Sequence, residues 1–370
     1  MAPVAKQTLL VAGASGVIGT SAVEHFAQLP EWEVIALSRR PPRVAAGCDF
    51  RHVPVDLTDS GACSKALAAL PPVTHLVYAA VAEAPGLVTG WHDAALMARN
   101  GAMFENILHP LAASGSLQHV TLLQGAKAYG AHVHPITVPL REDGPRDPHP
   151  NFYWLHEDAL RNASAQAAFT FTIWRPQVLI GTAPGAAMNP LLPIAAYAAI
   201  CQERGLPFCL PGAGDGLLEL VDSQLLAEAM HWSMTCPNST KQTFNITNGD
   251  IFVLRHAWNS LAEAMHLPVH GDATTDFVAF FAEESNQQAW TALAERHRLI
   301  EPSLSAFLGQ SHHYLDLLIS PRLAGRVPVL LSTIKLRQAG FAGCRDSLRT
   351  ILSALARMAD LRLVPPLLRG

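Results

Sequence analysis

The stretch Gly13-Ala-Ser-Gly16-Val-Ile-Gly19 constrains this chain more than any other. It follows a short apolar run, Thr8 to Ala12, and opens a segment with helical spacing, Gly19 to Gln28. Glycines between a strand and a helix permit a tight turn. They also let a pyrophosphate approach backbone N–H groups at the positive end of the helix. Gly13, Ser15, Gly16, Val17, Ile18 and Gly19 are therefore expected to contact a dinucleotide. A plain strand-to-helix turn explains the glycines less well, because a second strand follows at βαβ spacing.

Runs with strand character recur at Glu33 to Ser38, Arg51 to Val55, His75 to Ala80 and His119 to Leu123, with helix-length segments such as Ser60 to Ala69 between them. Parallel strands need crossover helices and bury both faces, so this alternation predicts an α/β fold: a Rossmann doubly wound parallel sheet with helices on both faces. Phe169 to Ile180 and Gln242 to Ile246 read as further strands of that sheet. Residues 1–250 are expected to form the nucleotide-binding domain, with 181–205 contributing to a cap. Residues 251–370 would form a smaller, mostly helical cap, with helices at Phe252 to Met265, Asn286 to His297 and Asp346 to Met358 and with Pro302, Pro321 and Pro328 in the loops.

Composition removes several function classes. Charged residues are 15 % of the chain and the formal net charge is -4, which leaves no footprint for nucleic acid. The six cysteines show no C-x-x-C spacing, so reduced thiols in a cytoplasmic protein are expected, with no metal. His132 and His134, and the pair His312-His313, lack an evident third ligand. The apolar stretch Leu191 to Cys201 carries Pro193 and is too short to span a bilayer, so no membrane anchor is expected. No G-x-S-x-G elbow supports hydrolase chemistry.

Cofactor choice is read after the second strand. An NAD enzyme usually places Asp or Glu there; this chain has Ser38-Arg39-Arg40. Two guanidinium groups and a hydroxyl suit a 2′-phosphate, so NADPH/NADP+ is the expected cofactor. The glycine spacing resembles that of extended short-chain dehydrogenases. By the same resemblance, Asp56 and Leu57 would lie beside the adenine, and Ala79 and Ala80 would let the cofactor lie across the sheet edge.

The Y-x-x-x-K pair of ordinary short-chain dehydrogenases is absent. Asn151-Phe-Tyr153-Trp-Leu-His-Glu157-Asp158 puts Glu157 where Lys would stand, and a carboxylate there should raise the phenol's pKa. That block, with Leu123-Gln-Gly-Ala-Lys127-Ala-Tyr129-Gly130, Trp174-Arg-Pro176, Tyr197-Ala-Ala-Ile-Cys201 and Phe244-Asn-Ile-Thr-Asn248-Gly-Asp250, resembles the progesterone 5β-reductase and iridoid synthase branch of the superfamily. The resemblance covers residues 8 to 260 well and the remainder loosely.

It implies that Tyr153 is the catalytic phenol and that Lys127 is its cationic neighbour, lowering the phenol's pKa and holding the nicotinamide ribose. Gln124, Pro176, Val178, Leu179 and Met188 would line the cofactor. The implied reaction is NADPH-dependent 1,4-reduction of an enone or enal; carbonyl (1,2) reduction is the alternative. A sugar-nucleotide epimerase and a non-catalytic NADP sensor fit less well. The resemblance also implies a small hydrophobic carbonyl substrate and a homodimer. Ala79-Ala80-Val81, Ala128 and Ala186-Ala187 depart from the branch toward smaller side chains, which predicts a roomier pocket.

Overall fold

The computed structural model describes residues 6–212, 214–269, 276–320 and 327–368. Its first half runs β1 (Gln7–Ala12), α1 (Val17–Ala27), β2 (Trp32–Leu37), β3 (Arg51–Val53), α2 (Ser60–Ala68), β4 (His75–Tyr78), α3 (Ala94–Ala113), β5 (His119–Leu123), α4 (Phe152–Gln166) and β6 (Thr170–Pro176). Then come β7 (Val178–Ile180), α5 (Leu191–Arg204), β8 (Leu217–Leu218), β9 (Leu220–Asp222), α6 (Ser223–Thr235), β10 (Gln242–Ile246), β11 (Phe252–Val253) and α7 (Leu254–Ala264). The last described helices are α8 (Phe277–Ala282), α9 (Glu284–His297), α10 (Leu304–Leu308), α11 (Ser311–Leu318), α12 (Ile334–Ala339) and α13 (Ser347–Asp360).

The main sheet has seven parallel strands in the order β10-β6-β5-β4-β1-β2-β3. β1 shows why both faces are covered. Leu9 and Val11 pack on one side with α1 and α6 residues such as Val23 and Leu226, while Leu10 and Ala12 pack on the other with Phe104 and Ile107 of α3. All four are fully buried, as alternating side chains of a parallel strand with helices on each face must be. The chain turns back between β1 and β4, and the crevice at that switch point is where such sheets bind ligands.

A third core joins β7, β9 and α5 to the C-terminal helices through Tyr197, Phe208, Trp258, Phe277, Trp290 and Leu355. The C-terminal stretch also touches the sheet layer, because Leu336 and Phe341 pack with Trp174 and Phe244.

Two expectations are corrected. Phe169 to Ile180 is not one strand: Pro176 ends β6, lacking the N–H to continue a ladder, and β7 leaves the sheet to pair with β9. Phe252 and Val253 are not helical; they pair antiparallel with β8, and α7 begins at Leu254. Pro321 lies outside the described residues.

Candidate active site

Gly13 leaves β1 at φ +83°, a conformation that favours glycine, and a Cβ there would lie 2.6 Å from Ala80 N. The turn is thereby pressed against the chain after β4. At Gly19 a Cβ would stand 2.2 Å from the Gly13 carbonyl oxygen, so the first turn of α1 can sit this close to the loop only with glycine. Most long helices here start on a side-chain cap: Asp59, Asp93, Asn151, Asp222 and Asp346 each accept a backbone N–H. α1 starts at Gly16 without one. Its first amides thus point, uncapped by any side chain, into the switch-point crevice, and Ser15, Val17 and Ile18 are all half-buried there.

Beyond β2, the Ser38 hydroxyl donates to the Arg40 carbonyl at 2.6 Å and shapes the turn that presents Arg39 and Arg40, both exposed. Arg40 Nη2 reaches the loop after β7, where it would lie 3.5 Å from a Cβ on Gly185. Asp56 accepts the Thr58 N–H at 3.0 Å and its hydroxyl at 2.8 Å; these bonds, helped by Arg39, hold its carboxyl below the usual range. Leu57 is buried in the core beneath.

At the other end of the crevice, Asn151 caps α4 by accepting the Tyr153 N–H at 3.0 Å and donates to the Lys127 carbonyl at 3.3 Å. One amide thus fixes both candidate catalytic residues. The Tyr153 hydroxyl would lie 3.3 Å from a Cβ on Gly125, at the end of β5, and among the described residues it has no hydrogen bond. Burial pushes its pKa up; Glu83 and Tyr314 add to this, and Arg175 opposes it.

The Lys127 ammonium is 3.9 Å from Glu83 Oε1 and 4.3 Å from the Trp91 ring centroid; burial lowers its pKa and Glu83 opposes that. Glu157 does not play the expected part. Burial opposes its charge, but Arg161 at 2.8 Å, Gln124 at 3.2 Å and Arg146 at 3.4 Å keep it ionised, with its pKa below the usual range. Gln124 was expected to line the nicotinamide. Its amide donates to Glu157 and to the Tyr153 carbonyl and accepts from Arg175 Nε, the last at 2.8 Å. Arg175, Glu83 and Tyr314 were missed, being far apart in sequence and outside any spacing rule.

With this geometry in place, the sequence profile of the NAD dependent epimerase/dehydratase family matches residues 9–247. The chain belongs to that family. Within the family, its curated relatives include (S)-8-oxocitronellyl enol synthase of Catharanthus roseus, 28% identical over 97% of this chain and 93% of that protein. Another is the 3-oxo-Delta(4,5)-steroid 5-beta-reductase of Arabidopsis thaliana, 27% identical over 96% and 92%. Such relatives put this epimerase-family chain in the iridoid synthase and steroid 5β-reductase branch, among oxidoreductases. The fold is shared with Bordetella bronchiseptica WbmH in complex with NAD+, at TM-score 0.66 and 17% identity over 97% of this chain and 100% of that one.

The epimerase-family fold places the remaining expected residues as follows. Ala79 and Ala80 flank Gly13, and Pro176 presents its carbonyl 3.6 Å from a Cβ on Gly125. Val178 turns into the C-terminal core, whereas Leu179 packs with the sheet layer. Met188 is half-buried in the loop 181–189, which Asn189 folds by donating to the Gly181 carbonyl at 2.7 Å. The α10–α11 segment closes over both sides of the crevice: Gly185 N–H donates to Phe307 at 2.8 Å, and Gly86 N–H to Gln310 Oε1 at 2.7 Å. Tyr314 follows on α11. The expectation of extra room beside Ala79-Ala80-Val81 is tempered by Trp91, which lines a narrow cleft, with room for about 10 Å³, together with Ala82, Glu83 and Lys127.

Proposed function

We propose that this chain is an NADPH-dependent reductase that acts on the alkene of α,β-unsaturated carbonyl compounds. The observation that carries the reading is the Tyr153 hydroxyl: buried, kept protonated and, among the described residues, without a hydrogen-bond partner at the carboxyl end of β5. A neutral phenol there donates a hydrogen bond; it does not abstract a proton.

The site fits a dinucleotide. The Gly13 turn and the uncapped α1 amides would hold the pyrophosphate, and Arg39 with Arg40 would hold a 2′-phosphate. Reduced nicotinamide supplies hydride when bound. As hydride reaches the β-carbon, negative charge grows on the substrate oxygen, and Tyr153 meets it with a hydrogen bond that strengthens toward the transition state. Arg175 is held by Gln124 and Glu157, which fixes the cation that acts on the phenol. Gln124-Gly125-Ala126 stand where an ordinary dehydrogenase has its Ser, so the site lacks that second hydroxyl for alcohol oxidation.

The test is an NADPH-consumption screen over small enals, cyclic enones and Δ4-3-ketosteroids, with products identified. Saturated carbonyl products are expected; predominance of allylic alcohols would move the assignment to carbonyl reduction.

Cofactor choice gives a second prediction. NADPH should bind at least about tenfold more tightly than NADH, roughly 1.4 kcal/mol, and Arg39→Ala should remove most of that preference. Equal calorimetric affinities in the unmodified protein would remove the case for a 2′-phosphate site.

A further inference from the structure

The first turn of α4 carries Tyr153 and is tied to the preceding loop by a chain of side chains. Asn151 Oδ1 accepts the Tyr153 N–H, so its Nδ2 points the other way, to the Lys127 carbonyl and to His149 Nε2 at 3.1 Å. An amide nitrogen donates and does not accept. His149 Nε2 must therefore be the acceptor, bare of a proton. That puts the ring proton on Nδ1, which donates to Asp147 Oδ1 at 2.6 Å. The Asn151 amide, whose orientation is fixed by backbone groups, thus decides the tautomer of a histidine two residues away.

A carboxylate beside an imidazole ordinarily favours the charged ring. Here a second histidine supplies the charge. Both ring nitrogens of His134 face acceptors, the Pro135 carbonyl at 2.9 Å and Asp147 Oδ2 at 2.7 Å, and these bonds raise its pKa. Burial works against the charge on Asp147, yet the bonds from His149 and His134 hold its carboxyl below the usual range. The chain is shaped for this contact: Gly130, at φ +70°, passes so close that a Cβ would lie 2.7 Å from Asp147 Oδ2. The other groups facing the His149 ring bring no second anion. His132 stands edge-on at 4.9 Å and is itself pushed down to about 4 by burial. The Trp154 ring, 6.1 Å away, carries Arg146, which is paired with Asp158, and the Lys127 ammonium lies beside Glu83.

We propose that His149 is a positioning residue: as the neutral Nδ1–H tautomer it anchors the Asn151 amide that caps α4, and so holds the Tyr153 phenol at the carboxyl end of β5. A protonated ring would present Nε2–H to the Asn151 amide hydrogens, donor against donor. The amide would have to turn, releasing the Tyr153 N–H and the Lys127 carbonyl. The effect on turnover rests on the enone-reductase reading; the tautomer and the cap do not.

Two measurements need no substrate. Long-range proton–nitrogen NMR of the imidazoles at about pH 8, with His149 assigned by difference from His149→Gln, should show Nδ1 protonated and Nε2 bare. Amide exchange at Tyr153 should be at least about tenfold faster in His149→Leu, which has no acceptor, than in His149→Gln, whose carbonyl oxygen stands in for Nε2. On an enone that the protein consumes, kcat at saturating NADPH should fall as a histidine titrates, between roughly pH 8 and 5.5, and His149→Gln should remove that acid limb. His134→Gln, a surface change, strips Asp147 of its counter-charge and should move the limb up by about half a pH unit or more. The proposal is overturned by a proton on Nε2, by equal exchange in the two His149 variants, or by an acid limb that persists in His149→Gln or stays put in His134→Gln. If no enone is consumed, the reductase reading falls, while the tautomer and the exchange rates still decide this one.

Discussion

Tyr153→Phe should lower turnover on enones by about 100- to 1000-fold, equivalent to roughly 2.7 to 4 kcal/mol, with NADPH affinity nearly unchanged. The substitution removes only the hydroxyl. The ring stays packed against Phe152, 4.6 Å between centroids, and the Asn151 cap on its N–H is untouched. The loss therefore falls on the transition state, where charge on the substrate oxygen is greatest, and appears in kcat more than in cofactor binding. Strongly activated enals need less help at oxygen and should lose less than hindered enones. Full activity of Tyr153→Phe on every substrate would make the phenol structural. Tyr314→Phe is the natural control, since the second phenol sits on α11 and acts on the first only through space.

The other large effect should come from Gly19→Ala. Its Cβ would sit 2.2 Å from the Gly13 carbonyl oxygen and 2.7 Å from Ala14 Cα, both backbone atoms that cannot swing aside. Either α1 moves off the glycine turn or the turn opens, and in both cases the amides no longer converge. NADPH affinity should fall by at least about 30-fold, roughly 2 kcal/mol, measured by calorimetry on protein whose far-ultraviolet circular dichroism is unchanged. Gly16→Ala is the contrast, since a Cβ there meets nothing closer than 3.4 Å. Equal, small losses for both would mean that the turn does not hold the pyrophosphate.

What the sequence revealed followed from local pattern. His119–Leu123 and Gln242–Ile246 are apolar or β-branched runs flanked by breakers, and both are strands with the expected bounds. The glycine turn was legible because steric demands on glycine are local too. Partner choice was not legible. Val178–Ile180 has strand composition, but nothing in it says that it pairs with β9, 40 residues away, and not with the main sheet. The charges around the phenol failed for the same reason. Glu157 was read against Tyr153 from its place four residues on, and Lys127 from the motif it occupies after β5, yet folding sets Lys127 beside Glu83 and gives Glu157 to arginines at 146, 161 and 175. Arg161 is the i,i+4 neighbour of Glu157 on α4 and lay within reach of the sequence, whereas Arg146 and Arg175 come from other parts of the chain and meet Glu157 only through the tertiary fold.

The most direct test of the central claim is the fate of deuterium from nicotinamide-labelled NADPH. Incubation with an enone that the protein consumes, followed by NMR of the product, should place the label on the β-carbon of a saturated ketone. Label on the carbinol carbon of an allylic alcohol would contradict the account.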